Sequence, residues 1–281
     1  LMAISWYPGH MHKASKELTK IMRETQAVIE VLDARIPESS CNPLLASIRQ
    51  ELPCIRILNK ADLADNEVTE AWRVHFAQQK DSACLINGRD SQLSKADLVN
   101  AAKRLVKAGS KSGLARGQLV IEGIPNVGKS SLLNQLMDRK VAKTGNEPAV
   151  TRGQQRVKLD DDWYLIDTPG MLWPKLADQA SAYRLAATGT IRNTAVQADD
   201  IAWFLAELLL ANYAERLVQR YELNDSNIKP EQLFTHIATL RGSLGRGGKP
   251  DFNKTAEILL NDFRSGKLGR YNLESPPPMM Q

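Results

Sequence analysis

Only three cysteines (Cys41, Cys54, Cys84) and four histidines occur in the 281 residues. The cysteine count is odd and no CxxC pair or HExxH spacing is present. A disulfide framework and a zinc site are therefore not expected, and reduced thiols of the cytoplasm fit better. Long apolar runs are scarce too. The greasiest stretch, residues 201–211, is short and carries Glu207, so it reads as a buried helix and not as a membrane span. The opening LMAISWYPGHM lacks a basic leader followed by an apolar run, so no secretory signal is expected. These readings set the expectation of a cytoplasmic chain with no membrane partner.

What is present is an ordinary globular composition, 43% apolar and 25% charged, enough to bury one large core or two smaller ones. The net charge of +5 tilts the chain mildly towards anionic partners. Up to residue 174, β-branched runs alternate with helical periods. Strands are expected at 27–35, 54–62, 83–88 and 118–123, and two more in RVKLDDDWYLIDTPG around an acidic turn at 160–162. Helices are expected near 13–24, 64–79 and 91–107, the last capped by Asp90 or Ser91, and another from about Lys129. This alternation implies a doubly wound, mostly parallel α/β sheet, whose ligands sit at the carboxyl ends of the strands. Beyond it, residues 175–273 read as a smaller all-α domain, with helices within 180–221, at 231–240 and at 252–264. Residues 241–251 read as a flexible basic glycine-rich loop, and 274–281 as a disordered tail.

Three motifs fall at strand ends. Residues 123–130, GIPNVGKS, fit GxxxxGK[ST] between a strand and a helix. The backbone amides of such a loop, including Asn126, Val127, Gly128 and Ser131, cradle phosphate oxygens, aided by the positive end of the helix behind. Lys129 reaches the outer phosphates and Ser130 ligates Mg²⁺. DTPG at 167–170 supplies Asp167 for Mg²⁺ through water, and the Gly170 amide as a sensor of the terminal phosphate. NKAD at 59–62 supplies Asp62, whose carboxylate accepts both N–H groups of the guanine edge, with Asn59 completing the base contact and the Lys60 stem packing over the ring. Two charge-assisted bonds of about 1.5–3 kcal/mol each favour GTP over ATP by on the order of 10²-fold.

These are the motifs of a GTPase in rotated order, with the base motif ahead of the phosphate loop. A doubly wound sheet permits this, because the site depends on which strands are neighbours and not on their succession. With WYPGHM, DARIP, NKADL, GIPNVGKSSLLN, DTPGMLWPK and the late basic loop, nearly the whole chain resembles the circularly permuted GTPases of the YlqF/RbgA family. That resemblance implies GTP hydrolysis coupled to late assembly of the large ribosomal subunit, and a C-terminal helical domain that contacts RNA. It also implies a hydrolytic role for His10 and a K⁺ ligand at Asn126. Thr151 is the expected switch threonine on Mg²⁺, with Thr144 as runner-up. The loop over the base departs from the family's SAK: Asn87 and Gly88 must serve. Met171 occupies the position where many GTPases carry a water-orienting glutamine, and either packs inward or gates the site. A monomer working on ribosomal RNA and proteins is expected. The competing classes are a GTP-dependent binding switch with little hydrolysis and, opposed by NKAD, a metabolic P-loop kinase.

Overall fold

A computed structural model describes residues 9–109, 117–137, 155–172, 178–191 and 197–278. The chain divides into two compact units, Leu1–Ala177 with Glu274–Gln281, and Asp178–Leu273. Among the described residues the first unit holds one six-stranded sheet. Its strands are β1 (Thr25–Asp33), β2 (Cys54–Asn59), β3 (Ser82–Ile86), β4 (Gly117–Glu122), β5 (Gln155–Lys158) and β6 (Trp163–Asp167). They lie in the order β3-β2-β1-β4-β6-β5. All neighbours are parallel except β5 and β6, which form an antiparallel hairpin. The acidic turn closes that hairpin, because Asp160 Oδ1 accepts from the amides of Asp162 (2.9 Å) and Trp163 (2.8 Å). β1 and β2 are buried almost end to end, as interior strands of a parallel sheet with helices on its faces are.

Six helices accompany the sheet in this unit among the described residues: α1 (Gly9–Met22), α2 (Pro37–Ser40), α3 (Pro43–Arg49), α4 (Asn66–Ala77), α5 (Lys95–Gly109) and α6 (Lys129–Leu136). Two apolar clusters build on the even-numbered face of β1. Around Val28 gather Leu18 and Met22 of α1, Leu45 of α3, Val120, Ile166 and Met171. Around Leu32 gather Leu58, Ala64, Cys84, and Trp72 and Phe76 of α4. The short α2 and α3 escape the sequence reading because their apolar period is too brief; their signal is Pro37, and Asn42-Pro43, where Asn42 Oδ1 caps the Leu44 amide at 2.9 Å. α5 starts later than expected from Asp90 or Ser91. Ser94 and Asp97 exchange side-chain bonds with each other's backbone amides, a stronger start signal.

In the second unit α7 (Gln179–Ala187), α8 (Ala198–Tyr221), α9 (Pro230–Arg241) and α10 (Phe252–Arg264) pack around Leu185, Leu205, Leu209, Leu233, Ile237, Leu259 and Phe263. Asp262 ties α10 to the end of α8 by accepting from Arg220 (2.9 and 3.0 Å) and from the Tyr221 hydroxyl (3.2 Å). Arg264 donates to the last carbonyls of α7, Ala186 and Ala187. The glycine-rich loop is more ordered than its composition suggests. Leu244 and Pro250 form an antiparallel bridge, Gly245 N donates to Lys249 O at 2.7 Å, and Asp251 N to Ser243 O at 2.9 Å. The start of the expected disordered tail is also engaged. Glu274 accepts from Ser39 N (2.9 Å) and Ser39 Oγ (2.6 Å), and its carbonyl accepts from Trp72 Nε1 (3.2 Å). All three cysteines are free thiols, and burial pushes Cys54 and Cys84 up to about 12. No helix among the described residues is long and apolar enough to cross a membrane.

Between the two apolar clusters of the sheet runs a buried charged row. Glu30 on β1 stands in register with Arg56 on β2 and with Glu122 on β4. Arg56 satisfies Glu30 (3.1 Å) and Ser82 (2.9 Å), whereas the fully buried Glu122 carboxyl has no hydrogen-bond partner among the described residues. Burial, aided by the Glu30 charge and opposed by Arg49, Lys129 and Arg56, pushes Glu122 up to about 8. A carboxyl so raised holds an extra proton in the folded state between its ordinary value of 4.5 and about 8, so its contribution to stability falls as pH rises through that window. Urea unfolding of the nucleotide-free chain is therefore expected to show Glu122→Gln gaining on the parent by a few kcal/mol between about pH 5 and pH 8. A gap independent of pH would mean that Glu122 is ionised throughout.

Candidate functional site

β4 delivers the phosphate loop at the carboxyl edge of the sheet, and α6 begins at its end with Lys129. The turn requires a left-handed residue at Gly128, where φ is 96° and a Cβ would stand 2.4 Å from Asn59 Nδ2. Asn126 also adopts a positive φ of 60°, which asparagine tolerates. Val127 is buried beneath the loop, Ser130 is half-buried at the first turn of α6, and Ser131 is exposed. Lys129 is buried, 8% exposed, which lowers its pKa, while the charges of Asp167 and Glu122 hold it up.

The base motif touches this loop directly. Asn59 ends β2, and its Nδ2 donates to the Val127 carbonyl at 2.8 Å. Its Oδ1 accepts from Asn87 Nδ2 at 2.6 Å, and Asn87 Oδ1 accepts in turn from the Leu93 amide and from Gln135 Nε2 of α6, both at 2.9 Å. Lys60, in a left-handed conformation, donates to the Asn126 carbonyl (2.6 Å) and to Asp33 Oδ2 (3.1 Å). Burial opposes the Asp33 charge, but Arg35 and Lys60 outweigh it and hold the carboxyl well below the usual range. Arg35 clamps the same carboxylate with two side-chain bonds of 2.9 and 2.7 Å. Sequence reasoning placed no functional role on Asp33, Arg35 or Gln135; the signal available was an acid at the carboxyl end of β1 followed by a basic residue within DARIP. Asp62 lies beside Gly88, where a Cβ would meet the Asp62 amide at 2.7 Å. Its Oδ1 accepts from the Arg89 amide at 3.1 Å.

The third motif closes the other side. Asp167 ends β6, buried, and the Thr168 hydroxyl donates to the Ile121 carbonyl at 2.7 Å. Gly170 passes so near the phosphate loop that a Cβ would meet Pro125 Cα at 3.0 Å and Lys129 Nζ at 3.2 Å. Met171 N donates to the Gly123 carbonyl at 3.2 Å, and its own carbonyl accepts from Asn42 Nδ2 at 2.7 Å. The Met171 side chain is 2% exposed in the cluster with Leu18 and Leu45, so it packs inward and does not gate. His10 stands in the first turn of α1, while Thr144 and Thr151 lie outside the described residues.

Asn59, Lys60, Asp62, Asn87, Gly88, Asn126, Gly128, Lys129, Asp167 and Gly170 thus gather at one sheet edge. A cation, backbone amides and space held open by glycines suit a polyphosphate. The Ser130 hydroxyl and the Asp167 carboxylate are hard oxygen donors, the set that fits Mg²⁺ beside such a phosphate.

A family model described as "50S ribosome-binding GTPase" matches residues 118–234, starting on the strand that feeds the phosphate loop. The chain is 42% identical to the ribosome biogenesis GTPase A of Bacillus pumilus, over 98% of this chain and 99% of that protein. It is 28% identical to the Thermotoga maritima protein of the same name, over 97% and 95%. The GDP-bound YlqF structure from "TM" superposes with a TM-score of 0.65 at 24% identity, over 92% of this chain and 99% of that one, and so shares the fold. Two motifs that the chain order separates meet on one sheet edge, and relatives match along nearly its whole length: the chain belongs to the ribosome biogenesis GTPase A family and is a circularly permuted GTPase.

Proposed function

We propose that this GTPase times a late step in assembly of the large ribosomal subunit, its nucleotide state coupled to contact with ribosomal RNA and proteins. The names of the relatives and the description of the matched family support the ribosomal half of this reading. The observation that carries the nucleotide half is the 2.8 Å bond from Asn59 to the Val127 carbonyl, because it sets the base motif against the phosphate loop. In this reading Asp62 takes the guanine edge, Asn87 and Gly88 line the base, and the amides from Asn126 to Ser131 hold the phosphates. Lys129 neutralises charge that develops during phosphoryl transfer to water. Ser130, Thr151 and, through water, Asp167 would hold Mg²⁺, which supplies further neutralisation when bound. Asn126 would hold K⁺, Gly170 registers the terminal phosphate, and His10 takes part in hydrolysis. The helical residues 175–273 form the RNA-contacting domain, with Arg241, Arg246, Lys249 and Lys254 as its phosphate contacts. The free chain acts as a cytoplasmic monomer, which sedimentation velocity checks.

The inward packing of Met171 favours a slow intrinsic rate, since no side chain at that position orients the attacking water. It equally motivates the second reading, a GTP-dependent switch that hardly hydrolyses.

Two measurements test these roles. In calorimetric titration, Asp62→Asn is expected to lose on the order of 10²-fold in GTP affinity and to gain for xanthosine triphosphate; unchanged GTP affinity would remove Asp62 from the base site. In hydrolysis assays, large-subunit particles are expected to raise the rate well above that of the free chain, KCl to support it better than NaCl, and His10→Ala to lower it. A rate indifferent to particles leaves the switch reading in its place; equal rates in the two salts, or an unchanged His10→Ala, remove those two roles singly.

A further inference from the structure

The described residues include three large hydrophobic side chains that are exposed: Leu240 (39%), Leu244 (43%) and Phe252 (47%). All three fall between residues 240 and 252, where α9 passes through the glycine-rich loop into α10. Such clustering at one tip marks an interaction surface more than scattered exposure would. Phe252 continues an aromatic row that begins inside the unit. The Trp203 and Phe234 rings stack at 5.9 Å, and the Phe234 and Phe252 rings lie 6.2 Å apart at 44°. One side of Phe252 is thereby supported by the buried Phe234, and nearly half of the side chain remains open.

The surroundings are cationic. Arg241, Lys249 and Lys254, close to Phe252 in the chain, are all exposed. The nearby acid is occupied: Asp251 caps the Lys254 amide at 3.1 Å and lies 3.9 Å from the Lys254 ammonium. The loop that carries these groups is held by the Leu244–Pro250 bridge, by the Asp251 amide on Ser243 O, and by the buried Ser243–Thr255 hydroxyl pair at 2.9 Å. The ring and the cations therefore sit on a fixed platform.

An exposed, braced aromatic ring among cations matches a polyanion that offers flat apolar faces. In a duplex those faces are covered by neighbouring bases, and only a single strand presents them. We propose that the α9–α10 tip binds unpaired RNA, with a base stacked on Phe252 and flanking phosphates on Lys249 and Lys254. This rests on the reading that the second unit contacts ribosomal RNA, and adds which form of RNA it takes and through which residue.

The test is fluorescence anisotropy of the full chain with a labelled short single-stranded RNA and a hairpin of equal length, over a series of salt concentrations. The wild type is expected to prefer the single strand. Phe252→Ala is expected to lose about tenfold or more in affinity with its salt slope unchanged, while Phe252→Trp keeps the affinity. Lys249→Ala and Lys254→Ala are expected to weaken binding and flatten the slope, each by about 0.7. An unchanged far-ultraviolet circular dichroism spectrum and thermal midpoint report that the variants are folded. If the lysine variants weaken binding but Phe252→Ala does not, stacking is overturned while RNA contact by this unit stands. No binding of either RNA by the wild type overturns both. Wild-type RNA binding by every variant, combined with loss of association with ribosomal protein, overturns the inference in favour of a protein partner.

Discussion

The site depends on one side chain amide. Asn59 closes β2, and its two ends are spent in opposite directions, Nδ2 on the phosphate loop and Oδ1 on Asn87. Through Asn87 and Gln135 the same chain of bonds reaches the helix behind the phosphate loop. Three segments far apart in sequence, at residues 59, 87 and 127–135, are thus held by amide groups with fixed donor and acceptor ends. Asn59 and Asn87 are buried, where a missing partner costs about 1–3 kcal/mol. The left-handed Gly128 is part of this arrangement, because any side chain there would occupy the place of the Asn59 amide.

This bond also explains why the inverted order of motifs costs the chain nothing at the site. β1 lies between β2, which ends in Asn59, and β4, which leads into the phosphate loop, and all three run parallel. Their carboxyl ends share an edge whatever the order in which they are connected. Lys60 spans the same distance, its ammonium shared between the Asn126 carbonyl and the Asp33 carboxylate. The DAR segment is hence a support for the base motif: Arg35 clamps Asp33, and Asp33 aims Lys60.

The sheet was legible in the sequence because buried parallel strands are written as largely apolar runs, and VIEVLD and CIRILN are such runs, interrupted by Glu30 and Arg56 before their polar ends. The phosphate loop, DTPG and NKAD were legible because their glycines, lysine and aspartate answer to ligand chemistry, which fixes spacing. What escaped lacked a readable local period. The brief helices α2 and α3 have too few residues for one, the glycine-rich loop is ordered by a bridge across its own ends, and Glu274 is held by the distant Ser39. The buried Glu122 has no local signal, since an acid ends the apolar run LVI, and its neighbours in register show that it is dry.

The anchoring of the DTPG segment limits how it can respond. Thr168 is fastened to Ile121, and Met171 is fastened by its amide to Gly123 and by its carbonyl to Asn42. Pro169 and Gly170 lie between these pins, and proline has one backbone torsion already locked. A disturbance next to Lys129 therefore has little main chain in which to register, so the natural stroke is the rotation of a peptide plane and not the swing of a loop. Larger displacement must first break the grip of Asn42 on the Met171 carbonyl, which makes a residue between the second and third helices a latch for the segment.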